Sequence, residues 1–407
     1  MPKGFYEKYE DSLKKLRINT TKAQKYIDIH FYDNKDLNSK FYHKKILEEY
    51  EEKKFHIKVP NQDNRIYHIL TRTPRELKYF LNIKYIVDIH NSHPVLFTSL
   101  IYEKYEIPQN YKYTLSRVIK DIEILGNRNI RSNSNSNSNS NSNSNSNIGN
   151  YYSRKHIHNI LINKGLDHEK IKKLPLDVLR YIHLTSSGIF WDKLLEKDNV
   201  KLGNYDMTRQ DKKEITFGQV FYGKFLRIRS NNKYARRFRD EFPNVYSLIL
   251  SYKKGIKKKE ERTVLAHKLM ALESELFREA LRRLFEMNFE VVSIHDAIVV
   301  LDTPANANCS VELVENVLKE VYMEKGLACE CSVDFYGKKA MEDFLASERD
   351  LRQKGEEYIL SIRDKEEFKE LIQDYDEGKS EIIWSKDKKS VILHPKDITD
   401  LMYKEGA

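Results

Sequence analysis

Val291–Val300, VVSIHDAIVV, sets a histidine and an aspartate side by side in an otherwise apolar, β-branched run, the composition of a buried strand or hairpin. A buried ionised carboxylate is costly unless it is paired or holds a metal. Asp296 therefore demands an explanation. A second run of the same character lies upstream at Tyr85–Phe97, YIVDIHNSHPVLF, where Asp88 ends a short apolar strand and a polar knot with a proline follows. Two strand-borne aspartates, distant in sequence, are what a two-metal phosphoryl-transfer site requires.

Working outward from Asp296, Arg262–Phe285 is predicted as one long helix. Its apolar face runs Leu265, Leu269, Leu272, Leu276, Ala280 and Leu284 and leads directly into the Asp296 strand. Beyond the strand the pattern gives a helix over about 311–325, a strand at CECSVDF and a charged helical tail. SEIIWS and SVILHP, flanking KDKK, form a plausible β-hairpin.

Upstream, Arg209–Gly223, RQDKKEITFGQVFYG, reads as a basic helix closed by Gly223. Arg209, Lys213, Phe217 and Phe221 recur every four residues, drifting about 40° per step, so they share one face. Cations there suit phosphates, and aromatics suit a base. Gly218 inside this helix costs about 1 kcal/mol relative to Ala, which points to a close approach or a bend. Arg227, Arg229, Lys233, Arg236, Arg237 and Arg239, interleaved with Tyr234 and Phe238, suit contacts to a nucleic-acid backbone. Lys253, Lys254, Lys257, Lys258 and Lys259 read as an exposed loop. Ser132–Asn147 alternates Ser and Asn over 16 residues, a polar tether of roughly 20–25 Å mean span.

A chain of 407 residues can bury a large core without disulfide or metal staples. Its 71 Lys and Arg against 61 Asp and Glu leave a net charge of +10, which favours a polyanionic partner. The three cysteines supply neither a disulfide framework nor zinc spacing. The absence of a long apolar run leads to the expectation of a soluble, cytoplasmic protein with no membrane partner.

Taken singly, each motif has a structural reading: His295 and Asp296 as satisfied core groups, Asp88 as an Asx cap, the 209–221 face as an ordinary amphipathic helix. Their order is more specific. Arg65 in NRIYHILTRTPREL, Asp88 in VDIHNSHP, the RQDKKEITFGQVFYG helix and His295-Asp296 in SIHDAIVV together resemble the motifs of family A DNA polymerases and the related single-subunit phage-type RNA polymerases. The likeness covers about residues 64–335 and suggests a small divergent member without an exonuclease domain.

The resemblance implies that Asp88 and Asp296 are catalytic and bind Mg²⁺ or Mn²⁺. It implies that Arg209 and Lys213 contact the triphosphate and that Phe217 stacks on the incoming nucleotide, with Phe221 or Tyr222 in the place of the family's tyrosine. His295 would touch the primer end. Arg65, Arg75, Arg236 and Arg237 would contact nucleic acid, and Glu273 occupies the place of a polar minor-groove residue. Five residues after Asp88 the DNA polymerases carry a glutamate that blocks a ribose 2′ hydroxyl; His93 stands there instead, which leaves the sugar open.

The expected fold is α+β, a right-hand polymerase with an antiparallel palm sheet and largely helical fingers. It divides into a helical N-terminal region (1–55), acting as an accessory cap, a first palm segment (56–105), fingers (106–245) with the Ser-Asn insertion 132–147 and the helix 205–223, a second palm segment (246–345) and a charged tail (346–407). The expected activity is Mg²⁺-dependent, template-directed DNA synthesis from nucleoside triphosphates on a template-primer. The alternatives are an RNA polymerase or primase, untemplated nucleotidyl transfer, and a non-catalytic nucleic-acid-binding accessory protein.

Overall fold

A computed structural model of the chain describes residues 4–30, 37–61, 64–122, 154–195, 201–202, 205–206, 209–223, 233–254, 256, 263–362, 373, 380–384 and 391–395. The fold is mixed α and β. Its strands in chain order are β1 (Ile83–Ile89), β2 (Lys201–Leu202), β3 (Tyr205–Asp206), β4 (Val291–Ile294), β5 (Ala297–Leu301), β6 (Cys331–Phe335), β7 (Ser380–Trp384) and β8 (Val391–Pro395). The central sheet has the order β4-β5-β1-β6, and every pairing in it is antiparallel. β7 and β8 pair as the expected hairpin, and β2 pairs with β3. The Ser-Asn tract lies outside the described residues.

The VVSIHDAIVV run forms the β4–β5 hairpin. Ile294 pairs with Ala297, so His295 and Asp296 make the whole two-residue turn. His295 sits in the left-handed region at φ 51°, a conformation that costs a side-chain-bearing residue about 1–2 kcal/mol. β5 is buried along its full length because it lies inside the sheet with both faces covered, which is why its sequence is continuously apolar rather than alternating.

One long helix, Val264–Glu286, packs against β4 and β5, against the helix Ser92–Lys104 and against the helix Val311–Glu324. Of its expected stripe, Leu265, Leu269, Leu276, Ala280 and Leu284 are buried and Leu272 is half-buried. β1 leads through Asn91, left-handed at φ 58°, into the Ser92–Lys104 helix. Pro94 is accommodated because the first turn of a helix has no use for its missing N–H.

The N-terminal region is not an add-on cap. Phe5, Tyr9 and Leu13 of the Phe5–Lys14 helix belong to the same contiguous core as the sheet. Tyr9 bolts this helix to β4, an edge strand whose outer N–H groups need partners. The Ser293 N–H donates to the Tyr9 hydroxyl at 3.1 Å, and His68 Nε2 lies 2.9 Å from both that hydroxyl and the Ser293 carbonyl. Burial pushes His68 down to about 4, so its ring is neutral. At the opposite end of the chain, Phe344 of the Lys338–Ile362 helix stacks on Tyr79 at 4.4 Å and meets Tyr26 and Phe80. Among the described residues no helix is long and apolar enough to cross a membrane.

Candidate functional site

Antiparallel pairing brings the two aspartates to one end of the sheet. Asp88 is the register partner of Ala297, and the Ile89 N–H donates to the Asp296 carbonyl at 3.3 Å. Neighbouring strands run about 4.8 Å apart, so side chains 88 and 296 rise from adjacent positions. Both are partly buried. Burial first, and then the charge of Asp296, raise the Asp88 carboxyl well above the usual range, while Lys213 opposes the shift. Asp296 is raised by burial and by Glu273, with His93 and Arg65 opposing. Asp88 Oδ1 is buried without a hydrogen-bond partner among the described residues.

Beneath this pair lies a satisfied carboxylate. Glu273, on the long helix, is 1 % exposed. Arg65 donates to its Oε2, Ser92 Oγ donates to Oε1 at 2.7 Å, and His93 Nε2 stands 3.1 Å from Oε1. Burial alone would raise Glu273; the charges of His93 and Arg65, with the bonds from His93 and Ser92, overcome it and hold the group ionised well below the usual range. The expectation of a minor-groove contact for Glu273 is corrected here, because its oxygens are consumed by protein donors. Arg65, 15 % exposed and paired with Glu273, is likewise engaged within the protein.

His93 is also buried, with both ring nitrogens in use. Nδ1 meets the Tyr222 hydroxyl, and Nε2 faces Glu273 with Arg65 Nη2 at 3.2 Å. Tyr222 comes from the segment after the Arg209–Val220 helix. There the N–H groups of Phe221 and Tyr222 both donate to the Phe217 carbonyl at 3.1 Å, a widened last turn that swings Tyr222 toward His93. Phe221 instead packs at 1 % exposure against Phe97, Phe217 and Phe238, so the expectation that it faces a nucleotide is corrected: it is core. Gly223 is needed at the end of this turn because a Cβ there would fall 2.5 Å from the Gln219 carbonyl oxygen. At Gly218, by contrast, a Cβ would meet nothing within 4 Å among the described residues.

Phe217 is half-buried, with its ring 5.7 Å from those of His93 and Trp191, and Lys213 Nζ lies 6.0 Å from the Trp191 ring. Asp88, Asp296, Lys213, Phe217, Tyr222, His93, Arg65 and Glu273 thus converge on one locality. Exposed His295 stands at its rim, edge-on to Tyr67 at 6.1 Å. Arg209 opens the helix, but its side chain lies outside the described residues, as do Arg227 and Arg229.

Arg75 is placed elsewhere. Its charge acts on Tyr336, whose N–H bonds Lys84 at the start of β1, the end of the strand remote from Asp88. Arg236 is exposed on the Lys233–Glu241 helix, Arg237 pairs with Glu241, and Phe238 is fully buried rather than interleaved for stacking. Ser92, Trp191 and Tyr9 were not singled out by sequence; nothing in their local context marks them.

Among the described residues no group of three or more His, Cys, Asp or Glu is placed to hold a metal. Asp88 and Asp296 alone fit a hard octahedral cation that keeps several waters and takes one or two carboxylates plus substrate phosphates, as Mg²⁺ does. The unsatisfied Asp88 oxygen fits that ion better than zinc, and the ring nitrogens of nearby His93 are already taken by Tyr222 and Glu273. No protein-family model matches the chain, and no curated protein matches its sequence.

Proposed function

We propose that the chain is a Mg²⁺-dependent nucleotidyltransferase with a right-hand polymerase architecture, extending a 3′ hydroxyl with deoxynucleoside triphosphates on a DNA template-primer. The observation that carries this reading is the convergence of Asp88 and Asp296 at one end of adjacent strands, with Lys213 acting on Asp88 and the Asp88 Oδ1 atom unsatisfied. In this reading the central sheet is the palm and the Arg209–Val220 helix belongs to the fingers. Asp88 and Asp296 would hold Mg²⁺, which when bound supplies charge neutralisation on the triphosphate and activation of the attacking hydroxyl. Lys213 meets the phosphates as a point charge. Phe217 and the Tyr222 ring provide the aromatic wall for base and sugar. Glu273, Arg65 and Ser92 fix His93, and His93 fixes the Tyr222 hydroxyl.

A ribonucleotide-using variant of the same reading is favoured by one observation. The residue five after Asp88 is a histidine with both ring nitrogens engaged by Tyr222 and Glu273, in the place of the glutamate whose bulk blocks a 2′ hydroxyl in the DNA polymerases it resembles. Primer extension with dNTPs or rNTPs separately, with Mg²⁺ or chelator, decides both questions. Template-dependent extension that stops with chelator is expected. Extension of a single strand without regard to template would assign untemplated transfer. Nucleic-acid binding with no extension under any nucleotide set, and unaltered by Asp88→Ala, would leave a non-catalytic binding protein.

A further inference from the structure

Lys253 contradicts its sequence context. In a lysine-rich stretch read as an exposed loop, Lys254 is exposed and Lys257, Lys258 and Lys259 lie outside the described residues, but Lys253 is 1 % exposed. Its ammonium donates to the Val220 carbonyl at 2.7 Å, deep between the Pro243–Ser251 segment and the end of the Arg209–Val220 helix. A buried ammonium with one partner is expensive, and a hydrophobic residue of the same length would be cheaper. What the lysine offers is a charge at the negative end of a helix dipole and a donor for one of the carbonyls of the last turn, which helix geometry leaves short of partners.

The position of that carbonyl matters. Phe217 faces the carboxylate site, Phe221 is core, Tyr222 reaches His93, and Gly223 folds tightly over the Gln219 carbonyl. Val220 is the last helical residue before that sequence of commitments. We propose that Lys253 is a positioning residue for nucleotide binding: by holding the Val220 carbonyl it sets the widened turn that delivers the Tyr222 hydroxyl to His93. It touches no substrate. The inference rests on the nucleotidyl-transfer reading for the words "nucleotide binding", while the mechanical link from Lys253 to Tyr222 stands on contacts alone. Burial is the sole cause acting on the Lys253 amine, pulling it down to about 8, so it carries its charge at neutral pH.

The test uses the full chain with Lys253→Met, which keeps length and removes charge and donor, and Lys253→Gln, which restores a donor. Amide hydrogen exchange at Tyr222 and Gly223 reads the turn, and extension kinetics read the nucleotide. Expected for Lys253→Met are faster exchange at both amides and a nucleotide KM raised about tenfold with kcat little changed, since small misplacement of a binding group is costly. Lys253→Gln should recover part of both effects. In a Tyr222→Ala background, which removes ring and hydroxyl together, Lys253→Met should add nothing further to KM, because the group it positions is already gone. Unchanged exchange and KM in a folded Lys253→Met protein would overturn the proposal. So would an equal KM increase with and without the Tyr222 side chain, and so would failure of both variants to fold, which would assign the lysine to stability alone. If the unmodified protein uses no nucleotide, the nucleotidyl-transfer reading fails by itself, and the exchange measurement still decides the link.

Discussion

The two acidic regions of the site solve the same problem in opposite ways. Glu273, almost fully buried, is ringed by Arg65, His93 and Ser92 and stays ionised. Asp88 and Asp296, less deeply placed, are driven toward the protonated form by burial, which the charges of Lys213, His93 and Arg65 oppose without overcoming. A carboxylate that the protein satisfies acts on its neighbours; one left with an unsatisfied oxygen, as Asp88 is, is open to something from outside. Under the proposed function the deeper group is the structural one and the shallower pair the chemical one.

The largest effect that could break this contrast is on activity. Asp88→Ala and Asp296→Ala should each reduce primer extension by on the order of 10³-fold or more while the protein stays folded by circular dichroism. Activity within tenfold of the unmodified protein in either variant removes the chemical role from the pair. Next in size is Glu273→Ala, which strands Arg65 and His93 and should cost about 3–5 kcal/mol in urea unfolding; a loss below 1 kcal/mol would mean the ring of donors is not holding a charge.

The two regions should also respond to pH with opposite signs. A carboxyl raised in the fold binds more protons folded than unfolded, so Asp88 subtracts stability as pH climbs from its unfolded value of 3.8 toward about 8. Relative to the unmodified protein, metal-free Asp88→Asn should gain stability across that window, on the order of 1 kcal/mol or more by neutral pH. Mg²⁺ should stabilise the unmodified protein and not this variant. Glu273, held low, contributes stability above its unfolded value of 4.5 and loses it as pH falls toward about 2, so the deficit of Glu273→Gln should shrink in acid. Parallel slopes from thermal melts of the two variants would erase the distinction. Smallest is Tyr9→Phe, expected to cost about 1–2 kcal/mol by leaving the Ser293 N–H without its acceptor; a neutral result would show that this edge needs no cap.

Much of the fold could be read locally because the signals are local. The β-branched run around His295-Asp296, the leucine stripe from Leu265 to Leu284 and the apolar strand before Asp88 each carry their own periodicity, and each became the expected element. What escaped was decided by distance and phase. Four-residue spacing put Phe221 beside Phe217, and the two rings do stack at 5.1 Å, but Phe97 and Phe238 bury Phe221 in the core, and the widened turn sends Tyr222 to His93 instead. Lysine-rich composition hid Lys253, whose burial depends on a helix end more than thirty positions away. The family resemblance marked Glu273 as a contact, and only the tertiary placement of Arg65 and Ser92 shows it to be spoken for.

The Tyr9–Ser293 bond joins residues 284 positions apart. During synthesis the first helix leaves the ribosome long before the strand it must seal exists, so its apolar face has to wait for nearly three-quarters of the chain. Such a closure is paid for late, after a very long loop has been gathered, and it makes assembly slow and truncation at the C-terminal side harmful to the very beginning of the protein. A nascent chain halted before β4 should therefore leave the first helix open to protease, and one halted after β5 should protect it.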